Sequence, residues 1–342
     1  MEKLVALLGF MFFLLEARSA SEGQQEKDAF HYNRLLGRGM NLGNALEAPK
    51  EGDWGITLQA DYFKKIKDAG FQSLRIPIRW SSHAKKQPPY TIDTKFLERV
   101  DWAVDQALSR GLVAVINVHH YDEIFQNPDQ HWARLLAIWK QIAERYRKQP
   151  DRLYFEFLNE PHAKLTDERW NKMLPELLAA IRPSNPRRIV IIGPSQWNNL
   201  HHLEKLQLPE KDRMLIATFH YYEPFQFTHQ EAPWVKGSKK WKGTTWEGTA
   251  KQRESIEKDF AKVTAWAKKQ KRPIYLGEFG AFSAADMDSR ARWTAAVART
   301  AEKHGFSWAY WEFASGFGAY DPKANVWREP LRKALLETEA KP

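Results

Sequence analysis

The sequence predicts an α/β fold built as one (β/α)8 TIM barrel, and three observations carry that expectation. Short apolar or β-branched runs alternate with longer stretches of helical period along nearly all of the 342 residues. Eight such runs occur, and alternating βα units make a parallel sheet with right-handed crossovers. Polar, titratable and aromatic residues fall at the C-terminal end of nearly every run, which is where barrels of this kind build their sites.

The strand runs, in order, are 38–42, 73–78, 113–118, 153–158, 189–192, 215–219, 274–277 and 307–312. Gly70 gives a turn signal before the second, Gly111 before the third, and Pro273 before the seventh. Segments of helical period lie between most of them, at 60–69, 95–110, 131–148, 167–181, 251–269 and 290–304. The connection after the sixth run is long: 223–248 carries Phe225, Phe227, Trp234, Trp241 and Trp246. A loop of that length and aromatic content is functional or packs on itself. An open doubly wound sheet would use the same units, but no glycine-rich dinucleotide fingerprint follows the first run.

Composition narrows the class. The chain is 43% hydrophobic and 27% charged, an ordinary globular balance that argues against disordered and fibrous classes. Residues 1–20 read as a signal peptide: Lys3 precedes the apolar run 4–15, and small residues follow at Ala17, Ser19, Ala20 and Ser21. That run is shorter than the roughly 20 residues of a membrane span. The expectation is a secreted protein, extracellular or periplasmic, with one catalytic domain over 27–342 and no membrane partner once the leader is removed. There is no cysteine, so neither disulfides nor thiolate metal sites are available. A domain of about 300 residues has core enough to hold without them. The net charge of +10 would suit nucleic acid, but lysines such as Lys64, Lys65 and Lys67 sit near acidic residues and read as solvated helix faces. No nucleic-acid partner is expected, and a monomer is the default.

The strand ends hold the chemistry. Asn41 and Asn44 follow the first run, and Arg75 lies in the second. His119 and His120 end the third, Asn159 and Glu160 the fourth, and Gln196 and Trp197 follow the fifth. His220 and Tyr222 end the sixth, Glu278 the seventh, and Trp311 and Glu312 the eighth. Glu160 and Glu278 belong to runs that face each other across a barrel. Two opposed carboxyls are what acetal hydrolysis needs, one protonated to serve the leaving oxygen and one ionised to attack or stabilise the oxocarbenium-like carbon.

Leu158-Asn159-Glu160-Pro161 and Leu276-Gly277-Glu278-Phe279-Gly280 resemble the acid/base and nucleophile motifs of clan A retaining glycosidases. Arg75-Ile76-Pro77, His119-His120-Tyr121, His220-Tyr221-Tyr222 and Tyr310-Trp311-Glu312-Phe313 resemble those of glycoside hydrolase family 5, nearest to its bacterial endo-β-1,4-glucanases, some of which also cut mannan. The resemblance runs from about Asn33 to about Leu336. It implies a β-1,4-linked polysaccharide substrate and no cofactor. It makes Glu160 the general acid and later base, and Glu278 the nucleophile, with Arg75 and Tyr222 donating to Glu278. It places Asn159 on the sugar 2-hydroxyl, His119, His120 and His220 around the −1 subsite, and Trp311 beneath the −1 sugar. Asn44, Glu47, Gln196, Trp197, Phe225 and Trp234 would complete the substrate contacts. Pyranose rings have an apolar face and a polar rim, which flat aromatics with neighbouring polar groups match. The chain has 15 tryptophans, more than packing usually requires.

Other readings weigh less. For His119 and His120 the rival is a metal site, but adjacent strand residues point to opposite faces and no further ligand cluster appears. Glu156 shares parity with Glu160 and is expected as a structural carboxyl satisfied by hydrogen bonds. Parity also requires the chain to bulge or turn at Asn159 and Glu160 if both reach one sugar. An endo-β-1,4-mannanase, or a barrel that binds sugar without cutting it, remains the alternative.

Overall fold

The computed structural model describes residues 27–337, so the expected leader, 1–20, lies outside the described residues. Eight parallel strands close into a barrel in chain order. They are β1 (Arg38–Asn41), β2 (Ser73–Ile76), β3 (Val113–Asn117), β4 (Leu153–Glu156), β5 (Val190–Ile192), β6 (Leu215–Tyr221), β7 (Ile274–Phe279) and β8 (Ser307–Tyr310). The expected (β/α)8 architecture is therefore present. The six expected outer helices are present too, with ends shifted by up to three residues, as at Pro128–Arg145 and Met287–Lys303. Several strands stop before the expected run does: β2 and β4 each end two residues early, leaving those residues to the site loops.

Strand parity divides the core in two. Val113, Val115, Tyr154, Ile189, Ile191, Ile216, Tyr275 and Ala309 pack together inside the barrel. Their neighbours Ala114, Ile116, Phe155, Val190, Ile192, Ala217 and Leu276 belong to the larger cluster beneath the helices. A helix not expected from the sequence, Ala29–Leu36, inserts Ala29, Tyr32 and Leu36 into the inner cluster and closes the barrel's N-terminal end. Asp28 caps it, accepting from the His31 amide at 2.8 Å, and Tyr154 Oη donates to the Tyr32 carbonyl at 2.9 Å.

At the opposite end, four buried tryptophans fix the points where strands become site loops. The indole nitrogens of Trp80, Trp139 and Trp170 each donate at 2.9 Å, to the carbonyls of Asn117, Phe157 and Gly193. Trp293 donates to the Glu223 carbonyl at 3.0 Å. These carbonyls lie where ladder pairing stops, so an unmet acceptor would otherwise be buried. After β8 the chain makes a two-stranded antiparallel pair, Tyr320–Asp321 with Val326–Trp327, and ends in the helix Glu329–Leu336. No described helix is long and apolar enough to cross a membrane.

Candidate active site

Arg75 on β2 organises the barrel's C-terminal mouth. It is wholly buried, and its Nε and Nη2 donate to the two oxygens of Glu156 at 2.6 and 2.7 Å. Nη1 donates to Glu278 Oε1 at 2.6 Å and to Asn41 Oδ1 at 3.0 Å. Nη2 also donates to Asn159 Oδ1 at 2.7 Å. Asn41 spends its amide on the carbonyls of Gly277, Ala309 and Tyr310, which locks β1 against β7 and β8 rather than facing a ligand. Asn159, with its oxygen held by Arg75, lines the cleft.

Glu278 reaches the cleft through an irregularity. β6 and β7 pair in regular register up to Phe219 and Leu276, after which His220 stands opposite Glu278. Gly277 is the extra residue. Tyr275 faces the barrel interior, so strict alternation would point Glu278 outward; the bulge turns it in. A Cβ at Gly277 would lie 2.8 Å from Thr218 Oγ1 and 3.0 Å from His220 Nε2, so only glycine fits without displacement.

Glu160 arrives by a different device. β4 ends at Glu156, and Glu160 has φ of 49°, in the left-handed region. The chain therefore turns where parity required it to, and Asn159 and Glu160 both line the cleft. His120, with φ of 48°, repeats the solution beside His119. Backbone strain of this kind concentrates at functional sites.

One oxygen from each of Glu160 and Glu278 and a nitrogen of His220 lie within 4.8 Å of one another. His220 Nδ1 is 2.7 Å from Glu160 Oε1 and 3.5 Å from Glu278 Oε2. Tyr222 Oη donates to Glu278 Oε2 at 2.9 Å. Such a triad has the spacing of a metal site, but Arg75 and Tyr222 already occupy both Glu278 oxygens as donors.

The charges separate the two carboxyls. Burial pushes Glu160 up to about 7, only partly opposed by Arg75 and His162. Burial also raises Glu278, while Arg75 and the Tyr222 hydroxyl pull it down. Arg75 is one cation between two carboxylates, Glu156 and Glu278, so a third negative charge at Glu160 would be uncompensated. A proton is therefore held more readily on Glu160, which has no ion pair to Arg75. Burial pushes His220 and His120 down to about 4 and holds His119 well below the usual imidazole range, so all three are neutral near pH 7.

The cleft has a volume of about 720 Å³. Of the expected residues, Asn44, His119, His120, Asn159, Glu160, Tyr222, Trp234, Glu278 and Trp311 line it. Trp311 stacks parallel to His119 at 5.8 Å, and the close approach of Gly280 to its carbonyl admits no side chain there. Arg75 and His220 stand behind this lining. Trp197 is on the outer rim, half exposed and stacked on His162 at 4.7 Å, with Gln196 before it. Phe225 stacks on His229 at 4.1 Å, one layer outside the cleft.

Glu47 departs from its expected place. It is fully buried, and its carboxylate accepts from the amides of Asn44 and Ala45, so it holds the loop that presents Asn44. Glu312 has the same role in the β8 loop, accepting from the amides of Ala314, Ser315 and Phe317. The cleft also includes Trp54, His229, Phe282, Ser315 and Phe317, which no motif had marked. Trp54 contacts His120 edge-on at 5.4 Å, and Phe282 and Phe317 pack against Trp234.

Comparison with known proteins places the chain in a family. A family model described as Cellulase (glycosyl hydrolase family 5) matches residues 36–316. Endoglucanase H of Acetivibrio thermocellus is 39% identical over 91% of this chain, which spans 33% of that longer protein. Endoglucanase B of Clostridium cellulovorans is 27% identical over 84% of this chain and 70% of its own length. The solved structure of endoglucanase Cel5A from Thermotoga maritima superposes with a TM-score of 0.89, at 51% identity, covering 91% of this chain and 100% of that one. With a match over most of its length and a barrel that superposes as a whole, this chain belongs to the cellulase family, glycoside hydrolase family 5.

Proposed function

We propose that the protein is a secreted, monomeric, retaining endo-β-1,4-glucanase, with Glu160 as acid/base and Glu278 as nucleophile. The observation that carries this reading is the ion pair of Arg75 with Glu278, beside a buried Glu160 that has none and is pushed up to about 7. The approach of one oxygen of each carboxyl to within 4.8 Å favours a direct-attack pair over an inverting pair, which stands about 6.5–9.5 Å apart to admit a water.

In the first step a Glu278 oxygen bonds to the anomeric carbon as the glycosidic C–O bond breaks. The Glu160 proton passes to the departing oxygen. Glu160, now ionised, then takes a proton from water, whose oxygen attacks the same carbon and releases Glu278. Two inversions retain the configuration. The Asn159 amide meets the 2-hydroxyl, and Trp311 supports the sugar's apolar face.

Mannan is a second substrate on this reading. The Thermotoga maritima relative has been solved with cellobiose and with mannotriose, and is 50% identical over 90% of this chain. Reducing-sugar release from soluble β-glucan, carboxymethylcellulose and glucomannan tests the proposal, with Glu278→Ala as control. Activity that vanishes in the variant supports it. A folded protein inactive on all three refutes it and favours a binding barrel.

A further inference from the structure

The loop after β6 carries a charge pattern that the reaction does not use. From the cleft, aromatic contacts lead outward across this loop. His229 lines the cleft, Phe225 stacks on it at 4.1 Å, and Trp241 meets Phe225 edge-on at 5.9 Å. Trp234, 60% exposed, stands on the cleft wall beside them. Lys236, Lys239, Lys240 and Lys242 flank these two tryptophans, and all four are exposed. Of these four lysines only Lys242 has a carboxylate partner among the described residues, Glu231 at 3.2 Å, and that lysine is largely exposed.

The platform beneath is ordered. Gln230 is buried and donates to the carbonyls of Phe227 and Thr244, while its own oxygen accepts from the Gly243 amide at 2.9 Å. Ser238 Oγ donates to the Ala232 carbonyl at 2.8 Å, and Trp246 is buried under the loop. Elsewhere lysines sit on helices beside acids four residues away, as Lys64 with Asp68 and Lys258 with Glu254 do. Here four exposed cations stand within seven residues, and one of them is in an ion pair.

We propose that this basic, aromatic loop binds the part of the polysaccharide strand that runs out of the cleft, and selects strands bearing carboxylates. The proposal rests on the reading of the cleft as a β-1,4-glucan site. Aromatic faces accept pyranose rings whatever their substituents. The lysines add attraction for anionic substituents, long-ranged at low ionic strength and screened by salt.

The test compares the protein with a variant carrying Lys236→Gln, Lys239→Gln, Lys240→Gln and Lys242→Gln. Each is assayed on carboxymethylcellulose and on hydroxyethylcellulose, which is uncharged. At low salt, kcat/KM on carboxymethylcellulose should fall about tenfold, since exposed ion pairs are individually weak and four act together. The loss should lie in KM, leave hydroxyethylcellulose unchanged, and disappear at about 0.5 M salt. Equal losses on both substrates, or no change on either, would overturn the proposal. Failure of the glucanase reading would appear separately, as inactivity of the parent protein on both polymers.

Discussion

Glu156 grips Arg75 through both carboxylate oxygens, at 2.6 and 2.7 Å, and so aims the remaining guanidinium nitrogen at Glu278. Neither Glu156 nor Arg75 lines the cleft, yet this pair sets the charge of the carboxylate that does. Glu156→Gln removes half of the counter-charge from a fully buried cation. Breaking such a pair costs about 3 kcal/mol or more. Loss of a partner that orients an active group costs roughly 10- to 100-fold in activity. Denaturant melts and kcat on soluble β-glucan should show both losses together; an unchanged kcat would remove Glu156 from the account.

Gly277→Ala tests the bulge. The new methyl meets Thr218 and His220 at 3.0 Å or less, so β6 and β7 must shift where His220 and Glu278 pair. Misplacing a reacting group by about 1 Å can cost 100-fold. The expected result is a protein that folds with kcat lowered by about that factor. Wild-type kcat in Gly277→Ala would mean that glycine is dispensable there.

The pH profile follows from Glu160. As the proposed general acid it would have to hold its proton, and burial pushes it up to about 7. Activity should therefore fall as pH rises through about 7, tenfold per unit beyond it. Glu278 must be ionised, which sets a falling limb on the acid side. Glu160→Gln should lose the alkaline limb while keeping the acid one.

Stability should fall with rising pH in one window. Burial pushes Glu47 up to about 8 and Glu312 up to about 7, from 4.5. The folded chain thus holds protons that the unfolded chain releases, so this stabilisation is full below 4.5 and lost as pH rises through about 7 and 8. The buried neutral histidines act in the opposite sense, but only below about pH 6.5. Denaturation midpoints between about pH 6.5 and 9 should decline in the parent protein and decline less in Glu47→Gln. A midpoint that rises across this window contradicts the assignment.

Much of this was legible in the sequence because barrels place chemistry at strand ends. The strand runs and the residues at their C-terminal ends located Arg75, Glu160 and Glu278 without coordinates. Parity even showed that the chain must turn at Glu160, although not that a left-handed residue would do it. What escaped lies in loops. Trp54, Phe282 and Phe317 come to the cleft through long-range contacts that no local period encodes. Glu47 belongs to a segment that also presents Asn44, and a carboxylate that binds a loop's amides reads in sequence like one that binds sugar. Gly277 carries no sequence signal of the bulge, because a bulge in a parallel pair has no signature of its own.

Azide rescue separates the proposed roles of Glu160 and Glu278. Glu278→Ala and Glu160→Ala would each be given an activated aryl β-cellobioside with added azide, and the anomeric configuration of the glycosyl azide read by NMR. With Glu278 as nucleophile, its removal should give the α-azide by a single displacement. Removal of Glu160 should give the β-azide, through an intermediate still formed on Glu278. The reverse pattern, or a β-azide from Glu278→Ala, would contradict the assignment.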